Sequence, residues 1–132
     1  SKTKVALPIT LAVMMDAIVN ILLKNAFQRP RPSLEQLVLE KNFSFPSGHA
    51  MVTATIFSML IYLSYKYIKR KNMRICSCSV CILLIILVGI SRIYLRVHYF
   101  SDILAGWTLG IVITLIIIYI MNIFEKNKSK NV

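Results

Sequence analysis

At 132 residues the chain has the length of one soluble domain, yet 57% of it is hydrophobic and its mean hydropathy is +0.68. Soluble chains hold about 45–50% apolar residues, so the composition excludes a soluble helical core. The formal net charge of +11 would suggest nucleic acid on a soluble protein; here most basic residues flank apolar runs, where they orient spans and meet anionic lipid.

A helix needs about 20 apolar residues to cross the hydrocarbon core. The first such run covers about Val5 to Phe27, the second His49 to Tyr67, the third Ile75 to Tyr94 and the fourth Ser101 to Phe124. No alternation of period two competes with them. The expected fold is all-α, a transmembrane bundle with four spans in one membrane-embedded domain.

In the first run Asp16, Asn20 and Lys24 recur every four residues and form a polar stripe. An acid inside a span is costly and points to function or to structural pairing, with Lys24, a headgroup path or a further helix as partners. The segment after it, residues 28–48, holds three of the four prolines and both Glu35 and Glu40; Ser33 to Asn42 could lie at the interface as a short amphipathic helix. Cys76, Cys78 and Cys81 open the third run without a histidine nearby, and read as small buried apolar residues rather than metal ligands. In the fourth run Ser101-Ala105 and Gly106-Gly110 are small pairs suited to close helix packing, and Trp107 is a candidate interfacial anchor.

Orientation follows from the loops. The N-terminus, residues 66–74 and the tail share one side and carry ten basic residues, including Lys2, Lys4, Lys128 and Lys130; the other side carries six. The positive-inside rule then places both termini in the cytoplasm, and the 28–48 and 92–100 segments on the extracytoplasmic face.

That face gathers a chemical set. Lys24, Arg31 and Arg92 are cations suited to a phosphate, the arginines with forked geometry. Ser47-Gly48 precedes the second helix, whose N-terminal amides can face an anion. His98 and Asp102 stand four apart, so on a helix the carboxylate can fix one imidazole nitrogen and leave the other to attack phosphorus. His49 would then donate a proton to the leaving oxygen. Each group alone has a plainer reading: a snorkelling cation, a helix start, a capped histidine.

Lys24-x6-Arg31-Pro32, Pro46-Ser47-Gly48-His49 and Ser91-Arg92-x5-His98-x3-Asp102 together resemble the three-part signature of the type 2 phosphatidic acid phosphatase superfamily. The resemblance implies that Lys24, Arg31, Ser47, Gly48 and Arg92 bind phosphate. It implies that His98 becomes a phosphohistidine with Asp102 orienting its ring, and that His49 is the acid and later the base. It implies no metal and no cofactor. Members usually have six spans with the first motif ending the third, so the resemblance implies the C-terminal part of a six-span fold, with two helices upstream.

The implied function is hydrolysis of a membrane lipid phosphate or diphosphate, with undecaprenyl diphosphate first and phosphatidate or phosphatidylglycerophosphate as alternatives. A different class, a non-catalytic lipid-binding membrane subunit, would not need every motif residue. Soluble vanadium haloperoxidases share the constellation, but four spans argue against that activity.

Overall fold

A computed structural model describes residues 3–130. Lys2 lies outside the described residues, as do the side chains of Lys4, Lys128 and Lys130 that entered the charge count. Four helices follow in order: α1 (Thr3–Phe27), α2 (Gly48–Tyr67), α3 (Lys71–Tyr94) and α4 (Phe100–Lys130). Each is long and apolar enough to cross a membrane, and the chain is a multi-pass membrane protein.

Helix ends follow local chemistry. Gln28 adopts a left-handed conformation (φ 46°) and its N–H returns to the Lys24 carbonyl, which stops α1. Ser47 is the N-cap of α2, its hydroxyl accepting from Ala50 N at 3.4 Å. Arg96 is also left-handed (φ 59°) and turns the chain sharply from α3 toward α4. The α2–α3 connection is shorter than the basic run suggested: α3 begins at Lys71, so Lys71 and Arg74 are helical.

The bundle is built around α2, which packs on the other three helices and most extensively on α4. Small residues make this possible. A Cβ on Gly106 would stand 2.9 Å from the Ser47 carbonyl oxygen, and one on Gly110 would stand 2.5 Å from the Met51 carbonyl oxygen. The two backbones therefore approach as closely as glycine allows, by the small-residue packing expected of this segment. The core comprises Ala12, Met51, Met59, Leu63, Ile113 and Ile117. Outside it, Leu83, Ile86, Leu87 and Ile90 of α3 and Ile111, Leu115 and Tyr119 of α4 are exposed, as a lipid-facing surface requires.

A buried polar seam crosses this core. Thr55 donates to Asp16 Oδ1 at 2.5 Å, while Thr114 donates to the Thr55 and Gly110 carbonyls, each at 3.0 Å. Asp16 is 3% exposed, so it is paired with α2 rather than with Lys24. In hydrocarbon each of these groups would be costly unpaired. The seam ties α1, α2 and α4 together.

Three expectations are corrected. Residues 33–42 form no helix; they run as an irregular strap, with Leu34, Leu37 and Leu39 exposed and the Leu37 N–H donating to the Leu95 carbonyl. Its polar groups Gln36, Glu40 and Asn42 hydrogen-bond within the strap and to Arg31, which outcompetes helix formation. Cys76 is exposed, and only Cys78 and Cys81 are buried, because the C-x-C spacing turns the first thiol away from the face shared by the other two. Trp107 is not free to act as an anchor: its ring fills the space over Gly89, where a Cβ would collide with it.

Candidate active site

The C-terminal ends of α1 and α3 and the N-terminal ends of α2 and α4 meet at one end of the bundle. A cavity of about 240 Å³ opens there, lined by Lys24, Arg31, Gly48, His49, Val52 and His98 together with Glu40 and Asn42 of the strap. Five of the eight residues singled out from the sequence thus line one space. Both histidines of the chain are among them.

Of the three cations, Lys24 and Arg31 line the cavity, and Arg92 stands behind Glu40 without lining it. Lys24 Nζ donates to the Phe43 carbonyl at 2.5 Å. Arg31 is held on all sides: Nε donates to the Asn42 carbonyl at 2.7 Å, Nη1 to the Val97 carbonyl at 2.8 Å, and Nη2 to Glu40 at 3.2 Å. Burial pulls its guanidinium down from its ordinary value and Glu40 acts in the opposite sense; an arginine so placed stays charged. Arg92 enters through Glu40, donating from Nη2 to Oε1 at 2.6 Å, while its Nε is buried without a partner among the described residues.

His98 is 4% exposed. Its Nε2 lies 3.3 Å from Arg31 Nη1. Because a guanidinium can only donate, Nε2 is the acceptor and Nδ1 carries the proton. Nδ1 faces Asp102 Oδ2 at 3.5 Å, too long for a formed hydrogen bond and within reach of one after a small ring shift. His49, in the first turn of α2, lines the same cavity.

Asp102 and Ser47 stand behind the cavity rather than on it. Asp102 is fully buried: Oδ2 accepts from Ser44 Oγ and Tyr99 N, each at 2.9 Å, and Oδ1 accepts from Arg29 Nη1 at 2.8 Å. The Ser47 hydroxyl is engaged by the α2 cap, and its N–H donates to the Asp102 carbonyl at 3.1 Å. These bonds lock the α2 and α4 N-termini side by side.

Three neighbours have no role assigned by the motifs. Arg29 holds Asp102 and Ser101, and its guanidinium carbon lies over Tyr99, 4.1 Å from the ring centroid. Ser44 supplies a second anchor for the same carboxylate. Glu40 bridges Arg31 and Arg92. The available signals were slight: Arg29 sits two residues from Arg31, and Glu40 is one of two acids between the first two spans.

A family model described as the PAP2 superfamily matches residues 5–126. Phosphatidylglycerophosphatase B of Bacillus subtilis is 39% identical over 102 residues, which covers 74% of this chain and 49% of that protein. An undecaprenyl-diphosphatase of Sulfolobus acidocaldarius is 35% identical over 69 residues, covering 52% of this chain and 29% of its own. Among solved structures, a transmembrane PAP2 type phosphatidylglycerolphosphate phosphatase from Bacillus subtilis superposes with a TM-score of 0.81 at 32% identity, covering 88% of this chain and 58% of the other. The chain spans about half the length of the first of these curated relatives, and less of the second.

Proposed function

Since the chain belongs to the PAP2 superfamily, we propose that it is a membrane lipid phosphatase that removes a terminal phosphate through a phosphohistidine on His98. The observation that carries this reading is the joint placement of both histidines and three cations at one end of a membrane bundle, with a carboxylate behind His98.

Lys24, Arg31, Arg92 and the α2 N-terminus at Gly48 neutralise the phosphoryl group. Once Arg31 Nη1 turns from His98 Nε2 to a phosphoryl oxygen, Nε2 attacks phosphorus with the freed lone pair; the bond from phosphorus to the leaving oxygen breaks, and His49 as imidazolium gives that oxygen its proton. Neutral His49 then takes a proton from water as the water oxygen attacks phosphohistidine, which releases orthophosphate and restores both rings. Asp102 holds the Nδ1 proton and stabilises the charge that develops on His98. No step calls on a metal.

Phosphatidylglycerophosphate is the first candidate substrate, because a similar curated protein and a similar solved structure, both from Bacillus subtilis, bear that activity in their names. Undecaprenyl diphosphate, the first expectation from the sequence, has the support of a shorter match. The site lies on the extracytoplasmic face, by the excess of basic residues at the opposite end of the bundle. Purified protein in detergent should release phosphate in EDTA from a panel of phosphatidylglycerophosphate, undecaprenyl diphosphate and phosphatidate, with vanadate as inhibitor. His98→Ala should lower turnover by on the order of 10³-fold or more. An active His98→Ala protein would end this reading.

A further inference from the structure

Glu40 occupies the ground between the two arginines assigned to phosphate. Its Oε2 accepts from Arg31 Nη2 at 3.2 Å and its Oε1 from Arg92 Nη2 at 2.6 Å, so one carboxylate spans both guanidinia. Those side chains are 8% and 10% exposed. Buried cations need a compensating anion, and with Glu40 in place they have one. The same fork-to-fork pairing would serve two phosphate oxygens. Glu40 belongs to the strap rather than to a helix, with its N–H donating to Gln36 Oε1 at 3.1 Å, so its side chain can swing out while the bundle stays packed.

We propose that Glu40 is a resident anion that holds the phosphoryl site against singly charged phosphodiester lipids and yields it to a terminal phosphate. The inference rests on the lipid-phosphatase reading and adds to it a residue that sets specificity. A phosphatase in a bilayer faces a great excess of phosphodiester headgroups, each with one charge and two free oxygens. Glu40 also has one charge and two oxygens, and being tethered it competes at high effective concentration. Exchange for a phosphodiester gains nothing. A terminal phosphate has three free oxygens and a charge of about −1.5 to −2 at neutral pH, and Lys24 lines the same cavity to receive the excess. That surplus displaces Glu40.

The test compares wild type with Glu40→Gln, Glu40→Ala, the charge-retaining Glu40→Asp, and Glu35→Gln. The last makes the same charge change at an exposed position on the same strap. Calorimetry measures binding of orthophosphate and orthovanadate without requiring turnover. Removing an internal competitor raises the competent fraction, so Glu40→Gln and Glu40→Ala should each bind orthophosphate on the order of tenfold more tightly. Glu35→Gln should match wild type, and Glu40→Asp should stay near it. In mixed micelles holding phosphatidate as substrate, added dioleoylphosphatidylglycerol should inhibit Glu40→Gln and leave wild type unaffected. Unchanged or weaker orthophosphate binding in both neutral variants would overturn the proposal and make Glu40 a brace for the arginines. Indifference of Glu40→Gln to the phosphodiester would overturn its role in specificity. Absence of phosphate release by wild type from every lipid would instead fall on the phosphatase reading, since the binding measurement stands without it.

Discussion

The two ends of the bundle spend the same residue types differently. At the cavity end, Arg31, Arg92 and Asp102 are buried, and each is fixed by partners from other segments. At the opposite end Lys66 pairs with the half-exposed Glu125 at 2.8 Å, and Arg74 lies over the exposed Tyr65. A charge in water is screened and nearly free to move, whereas a buried one must be matched atom by atom. The difference is one of matching: charge in this protein is loosely paired where it is wet and fixed by several partners where it is dry.

Four substitutions would break or sharpen that contrast. Asp102→Asn leaves the shape of the buried network but removes the negative charge that faces His98 Nδ1 and gives Arg29 an uncharged partner. Turnover should fall by on the order of 10²–10⁴-fold, measured as phosphate release, with the protein still folded by circular dichroism. Gly110→Ala, between the two ends, forces a methyl onto the Met51 carbonyl. It should destabilise the α2–α4 contact by about 1–3 kcal/mol, read as a lower melting temperature in detergent.

Arg29→Ala touches Asp102 without lining the cavity. It should lower kcat by roughly tenfold while orthophosphate affinity is kept, and Arg29→Lys should restore part of the rate. Loss of affinity and rate together would point to collapse of the strap instead. Lys66→Ala, at the wet end, should change stability by less than about 1 kcal/mol and leave phosphate release unaltered. An effect on turnover there would mean that the two ends are not independent.

Much of this was legible in the chain itself. Four apolar runs of spanning length imply four helices because a bilayer tolerates no unpaired backbone, and the three motifs identify the family because their spacing is unusual. The glycines of α4 could be read as contact points, since small residues four apart form a continuous groove on a helix. The strap could not. Leu34, Leu37 and Val38 stand at helical spacing within residues 33–42, and only the pull of Arg31 on Glu40 and on the Asn42 carbonyl shows why they stay irregular. Nor could Asp16 be assigned: Lys24, a headgroup path and a further helix were all open to it, while helix rotation delivers it to Thr55.

By itself, then, the sequence determined the class of structure, the family and the histidine backed by a carboxylate, because hydropathy and i, i+4 spacing are local properties. Only the tertiary structure decided that Ser47 and Asp102 stand behind the cavity, that Arg29 and Ser44 hold Asp102, and that Glu40 lies between Arg31 and Arg92. The physical reason is desolvation. When four helix ends and a strap are packed together, buried charges need partners, and those of Arg31 and Asp102 come from residues 9 and 73 positions away.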